Sequence, residues 1–346
     1  IKGGKYSAVD LAKAYLEEIN KKNKEINAYL EVFSDVIEQA KQADERFKNG
    51  TATLLTGIPF AIKDNILIKG RIASSASKIL ENYHASYDAT VIDKLKKEGV
   101  VFLGRTNMDE FALGGSTEKS AYGITRNPLD LERVPGGTSG GSAAAVASNM
   151  CLVALGSDTG GSVRQPSAYC GVVGLKPTYG LVSRYGLMAA VSSFDQIGPI
   201  AKNIDDVEIV LKHISGEDVK DSTTISKHTY KIKENKKPVI GIIMSLSISG
   251  LDPQVVKNFD ESIDKFKKAG YTVESIDIPN ISNVLPIYYI LNFAEVSSNL
   301  SRFDGMRFGL HKDGKDGIED YFESRGTGFG KEVRRILGRF CRCCNS

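Results

Sequence analysis

Two clusters of glycine and hydroxyl residues, Pro135-Gly-Gly-Thr138-Ser139-Gly-Gly-Ser142 and Gly156-Ser-Asp158-Thr159-Gly160-Gly161-Ser162, constrain this chain more than any other feature. Glycine has no Cβ, so successive backbone amides can close on a bound group and form an anion-binding nest. Such a nest serves a phosphate or the oxyanion of an acyl-transfer intermediate. The first cluster feeds a helical run at 142–148, which superficially fits a nucleotide-binding loop. No Gly-Lys-Ser/Thr follows it, no Gly-x-Gly-x-x-Gly fingerprint is present, and no acidic residue stands in the expected role after a following strand. The oxyanion reading is the one that survives.

Around these clusters the chain alternates short apolar runs with amphipathic helices. Ser7 is the N-cap of an expected helix to about residue 23, and a second helix is expected at 34–48. Residues 57–65 read as a short buried strand that ends in polar residues, with Lys63 at its end. A helix at 88–98 with Gly99 as C-cap precedes a strand at 100–104. A strand at 239–244, a helix at 253–269 and a strand at 271–276 repeat the alternation. The expectation is an α/β fold with a large mixed β-sheet flanked by helices on both faces. The polar stretch at 216–237 reads as a surface excursion or linker.

Composition narrows the function classes. Of 346 residues, 45 are basic and 42 acidic, a net charge of +3, which gives no basic patch for nucleic acid. No run of about 18–20 apolar residues suggests a membrane span, and no signal peptide opens the chain. Five cysteines, three of them at Cys341, Cys343 and Cys344, do not form a disulfide framework. A reducing, cytoplasmic setting is expected, or an organellar matrix in a eukaryote. The first residue is Ile1 rather than methionine, so a fragment is expected.

A hydrolase built on the clusters needs a nucleophile, a base and an oxyanion hole. The four histidines (His84, His213, His228, His311) all lie outside the clusters and read as ordinary polar or helical residues. Lysine serves as a base when burial makes the neutral amine accessible, and Lys63, at a buried strand end beside Asp64 and Asn65, meets that requirement.

Lys63 with the run before it, the Gly-Gly-Thr-Ser-Gly-Gly-Ser loop, and Asp158-Thr-Gly-Gly-Ser162 with Arg164 and Pro166 closely resemble the amidase signature family. Its members use a Ser, cis-Ser, Lys triad. The resemblance implies Ser162 as nucleophile, Lys63 as ultimate base, and the amides of Thr159, Gly160, Gly161 and Ser162 as oxyanion hole. The family's bridging serine falls on Thr138, whose extra methyl restricts χ1. Adjacent Ser139 is the alternative bridge and a substrate-binding candidate.

Further segments are similar to the glutaminase subunits of the Glu-tRNA(Gln)/Asp-tRNA(Asn) amidotransferases within that family. These are 106–120 with Asn127-Pro128, Gly174-Leu-Lys-Pro-Thr-Tyr-Gly180, Ser183 to Leu187, Ser192 to Pro199, and 288–305. The resemblance implies hydrolysis of glutamine through an acyl-serine, with ammonia passed to a B subunit that converts Glu-tRNA(Gln), and a small C subunit that holds the two together. It implies Tyr289 and Arg335 as substrate-binding residues, Arg335 through a bidentate grip on the α-carboxylate. No cofactor or metal is expected on this chain, since ATP and Mg2+ are used by the partner subunit. One amidase signature domain, incomplete at both ends, is expected over 1–337, with an atypical tail at 338–346. The Cys-rich tail spacing is not a four-ligand pattern, so it is given no metal role. Two other readings stay open: a free-standing amidase acting on another small amide, and a catalytically silent assembly subunit.

Overall fold

Three short runs, each buried over nearly its whole length, set the architecture. The computed structural model describes residues 3–226, 238–243 and 250–343. In chain order the first elements are α1 (Ala8–Ile26), β1 (Tyr29–Val32), α2 (Val36–Lys48), β2 (Pro59–Lys63), α3 (Thr90–Glu98) and β3 (Val101–Thr106). Then come α4 (Gly140–Ala147), β4 (Val153–Asp158), α5 (Arg164–Tyr169), β5 (Val173–Gly174), β6 (Gln196–Ala201) and α6 (Ile204–Ile214). The chain continues through β7 (Ile240–Ile243), α7 (Pro253–Lys268), β8 (Val273–Ile276), α8 (Val284–Leu300), α9 (Gly317–Gly328) and α10 (Lys331–Cys343).

The first six strands form one mixed sheet in the order β1-β3-β2-β4-β6-β5. β2 lies between β3 and β4 and is parallel to both, whereas β1, β6 and β5 pair antiparallel. Every residue of β2, β4 and β6 is buried, so both faces of the sheet centre are covered. α4, made of Gly, Ser, Ala and Val, packs against β2, β3, β4 and β6, where its small side chains permit close approach. The main core gathers Phe60, Ile62, Leu95, Leu103, Leu155, Ile197 and their neighbours. A second cluster joins Ile79, Leu80 and Phe111 to Val296, Phe303, Phe329 and Val333.

Local signals explain the element ends. Ser7 accepts from the Asp10 amide while Asp10 accepts from the Ser7 amide, closing a capping box on α1. Gly99, at φ +76°, ends α3 in the left-handed region that glycine occupies without strain. The expected helices and the strands ending at Lys63 and Thr106 are therefore present, with ends shifted by a few residues. β1, β4 and β6 do not stand out as strands in the sequence. β6 carries Gly198-Pro199 in its middle, a pair that argues against a strand, yet it pairs along its length with β4, and the Pro199 carbonyl accepts from the Leu175 amide.

Contacts divide the chain into two units, Ile1–Lys227 with Phe293–Ser346, and His228–Asn292. The smaller unit contains a separate two-stranded sheet, in which β7 and β8 run parallel and α7 supplies the connection. The strands expected at 239–244 and 271–276 thus pair with each other. The span 1–337, read from the sequence as one domain, takes in residues of both units. In the polar stretch, residues 216–226 are tied down by Asp218, which accepts from Thr90 and Ser183, and by Asp221, which accepts from the Arg184 amide. Residues 227–237 lie outside the described residues. Among the described residues no helix is long and apolar enough to cross a membrane.

Candidate active site

The parallel trio β3-β2-β4 delivers its carboxyl ends to one edge of the sheet, the usual place for chemistry in such folds. β2 ends in Lys63, β4 ends in Ser157 and Asp158, and the segment after β3 carries Asp109. Lys63 has no exposed surface. Its Nζ donates to Thr138 Oγ1 at 2.7 Å, to Ser157 Oγ at 2.9 Å and to the Ser157 carbonyl at 3.3 Å. Burial drives the Lys63 amine from its ordinary value down to about 7, against the pull of the Asp109, Asp158 and Asp195 carboxylates. Near neutral pH a substantial share of Lys63 is therefore the free amine, the form that can take a proton.

Thr138 lies in the loop before α4, and the Gly137–Thr138 peptide is cis. Its neighbour Ser139 turns the other way: the Ser139 hydroxyl donates to the Ser157 carbonyl at 3.1 Å and accepts from the Ser157 amide at 3.3 Å. Of the two hydroxyls named from the sequence, Thr138 is the one that touches Lys63. A Cβ on Gly137 would run into the Asp109 carboxyl and the Ser116 amide, which is why this loop carries glycine there.

Ser162 sits on the loop between β4 and α5 and is almost fully buried. The Ser139 amide donates to the Ser162 carbonyl at 3.0 Å and the Gly137 amide to Gln165 Oε1 at 3.0 Å, so the two glycine clusters are stitched side by side. Among the described residues the Ser162 hydroxyl makes no hydrogen bond. Gly161 adopts φ +122°, a conformation open to glycine and strained for other residues.

Asp158 holds this loop. Its carboxylate accepts from the amides of Gly161 at 2.8 Å, Val163 at 3.1 Å and Arg164 at 3.3 Å, and from the Arg164 guanidinium at 2.8 and 3.0 Å. Burial pushes Asp158 up, but Arg164 and those amides together hold it below the ordinary carboxylate range. The Gly161 amide is thus engaged with Asp158, while among the described residues those of Thr159, Gly160 and Ser162 make no hydrogen bond. Thr159 is held from the other side, donating to Asp195 at 2.6 Å. Burial pushes Asp195 up to about 6, against that bond and those from the Ala190 and Val191 amides.

The other named residues do not join this hydrogen-bonded group. Arg335 pairs with Glu332 and lines a cleft of about 480 Å³ with Lys78, Glu110, Glu118 and Lys331. Lys63, Thr138 and Ser162 are not among that cleft's lining residues. Tyr289 belongs to the smaller unit, where its ring packs edge-on to Tyr288 at 5.6 Å. His84, His213 and His311 each bond a backbone carbonyl and none contacts Lys63 or Ser162, while His228 lies outside the described residues. Sequence reasoning overlooked the roles of Ser157, Asp158, Asp109 and Asp195. The available signal was their position, since Ser157 and Asp158 end a strand that runs straight into the second glycine cluster.

A family model described as Amidase matches residues 10–343. The chain is 48% identical over 344 residues to the A subunit of the glutamyl-tRNA(Gln) amidotransferase of Ruminiclostridium cellulolyticum, covering 96% of this chain and 71% of that protein. It is 50% identical over 350 residues to the protein of the same name from Thermoanaerobacter pseudethanolicus, covering 98% and 72%. The crystal structure of the corresponding glutamyl-tRNA(Gln) amidotransferase protein from Thermotoga maritima superposes with a TM-score of 0.74 at 36% identity, covering 96% of this chain and 74% of that one. A peptide amidase from Stenotrophomonas maltophilia gives 0.83 at 28% identity, covering 97% and 73%.

Proposed function

The chain belongs to the amidase family, and from that premise we propose that it is the glutaminase subunit of a glutamyl-tRNA(Gln) amidotransferase. The observation that carries the reading is the 2.7 Å bond from buried Lys63 to Thr138, on a loop stitched to the one that bears Ser162. Near 50% identity to proteins of that name supports the substrate.

Ser162 Oγ attacks the side-chain amide carbon of glutamine. As the Oγ–C bond forms, the carbonyl π pair moves onto oxygen, where the amides of Thr159, Gly160 and Ser162 receive it. The Ser162 proton passes to Thr138 Oγ1, which gives its own proton to neutral Lys63. The Ser162–Thr138 contact that this transfer needs forms with substrate in place. Collapse of the intermediate breaks the C–N bond, and the departing nitrogen takes a proton back from Lys63 through Thr138 and leaves as ammonia. Water then attacks acyl-Ser162 with Lys63 again as base, releasing glutamate. Ammonia passes to the B subunit, where Glu-tRNA(Gln) is amidated with ATP and Mg2+, and a small C subunit holds the two together.

The test is glutamate release from glutamine by this chain with B and C subunits present. Release that disappears in Ser162→Ala and Lys63→Ala supports the reading. Turnover of other small amides in place of glutamine would make the chain a free-standing amidase. Binding of the partners with no turnover of any amide would make it an assembly subunit.

A further inference from the structure

Lys63 works as a base only if the charged form it becomes is tolerated where it sits. An ammonium has three N–H groups, and a site without exposed surface must supply three acceptors or bear the cost of an unmade bond. The three here are Thr138 Oγ1, Ser157 Oγ and the Ser157 carbonyl, so one residue provides two of them. All three are neutral oxygens. The charged groups that face Lys63, namely Asp109, Asp158 and Asp195, act on it through space, and among the described residues none makes an ion pair with it. A carboxylate in contact would keep the amine permanently protonated, and an apolar wall would forbid the ammonium altogether. Neutral acceptors stand between these extremes.

The arrangement is directed by a second residue. Asn65, two positions beyond Lys63 and buried, donates from Nδ2 to Ser157 Oγ at 3.0 Å. Its Oδ1 is buried without a partner among the described residues. An asparagine serving packing alone would satisfy both ends of its amide. Here the amide nitrogen is committed to Ser157, and the Ser157 oxygen meets donors on two sides, Asn65 and Lys63. The Ser157 carbonyl is filled in the same way, by Lys63 and by the Ser139 hydroxyl.

We propose that Ser157 and Asn65 are positioning residues for the base: Ser157 forms a receptor for the Lys63 ammonium that appears as the proton leaves Ser162, and Asn65 fixes that receptor. The proposal rests on Lys63 being the base for Ser162. Among the described residues neither bonds Ser162: Ser157 acts through Lys63, and Asn65 through Ser157.

The experiment is the rate at which a small fluorophosphonate labels Ser162, followed by mass spectrometry across a pH series. Such labelling reads nucleophile activation without glutamine or partner subunits. In Ser157→Ala the ammonium loses an acceptor and the amine becomes a weaker base. The plateau rate falls by about tenfold, the scale of one hydrogen bond to a charged group, and the half-maximal pH moves down by about one unit. Ser157→Thr restores both. Asn65→Asp places a negative charge behind the receptor and moves the half-maximal pH up. A residue that merely supported the fold would not shift that pH in opposite directions in the two variants.

The proposal is overturned if labelling is lost in Lys63→Ala yet both variants keep the parent's half-maximal pH. If Lys63→Ala labels as fast as the parent, or the parent is not labelled at Ser162, the base assignment itself fails and takes this proposal with it. Should Ser157→Ala prove unfolded by circular dichroism, the direction of the Asn65→Asp shift decides.

Discussion

Replacing Lys63 by methionine, a side chain of similar length without the charge, makes the protein more stable, and by an amount that depends on pH. The buried amine sits at about 7 in the folded chain against an ordinary value of 10.5. Between those values the unfolded chain holds a proton that the folded chain has shed. Stability therefore rises with pH wherever the unfolded state binds more protons. The parent thus gains stability as pH climbs from 7 toward 10.5, and below 7 the burden of the buried ammonium is fully present. From pH 7 to about 9.5 the integrated gain is on the order of 3 kcal/mol, at about 1.4 kcal/mol for each pH unit fully traversed. Lys63→Met lacks this titration. Its advantage over the parent is fully present below pH 7 and shrinks by about that amount between pH 7 and 9.5. Asp158, held below the ordinary carboxylate range, and Asp195, at about 6, both lie below this pH window, so the difference there reads Lys63. Urea unfolding of both proteins at closely spaced pH values measures it. A difference that stays flat from pH 7 to 9.5 would mean that Lys63 is protonated throughout that range in the folded state, contrary to this expectation.

Thr138→Val keeps the shape and removes the relay hydroxyl, so glutamine hydrolysis falls by about 10²–10⁴-fold in steady-state kinetics, whereas Thr138→Ser stays within about tenfold of the parent. Asp158→Asn turns an amide NH2 toward donors that the carboxylate accepted. Loss of those charge-assisted bonds lowers stability by about 2 kcal/mol in denaturant titration, discounted for the half-exposed Arg164, and lowers kcat as the Ser162 loop loosens. Leu155→Ala, at a fully buried position of β4, costs about 2–5 kcal/mol by the same titration and moves the thermal midpoint without changing the pH dependence of hydrolysis.

Much of the site was legible because its chemistry is tied to backbone demands. Gly137 and Gly161 are needed for close approach and for positive φ, and Lys63 terminates an apolar run whose length allows a buried strand and little else. The choice between Thr138 and Ser139 was not legible. Both are hydroxyls on one loop, and which of them faces Lys63 depends on the register in which that loop meets β4. Asp158 and Asp195 stayed hidden for a related reason, since each acts by collecting amides from loops that only the folded chain brings together. β6 was concealed by its glycine and proline. The pairing of β7 with β8 was open to misreading because a strand, helix, strand pattern does not say which sheet it joins.

Hydrolysis of glutamine through an acyl group on Ser162 is checked by quenching the chain, with B and C subunits added, in acid during glutamine turnover. Mass spectrometry of the peptide that contains Ser162 is predicted to show a γ-glutamyl group on that serine, present in the parent and gone in Ser162→Ala together with glutamate release. Glutamate release that continues in Ser162→Ala, or a glutamyl group carried by a different residue, would contradict it.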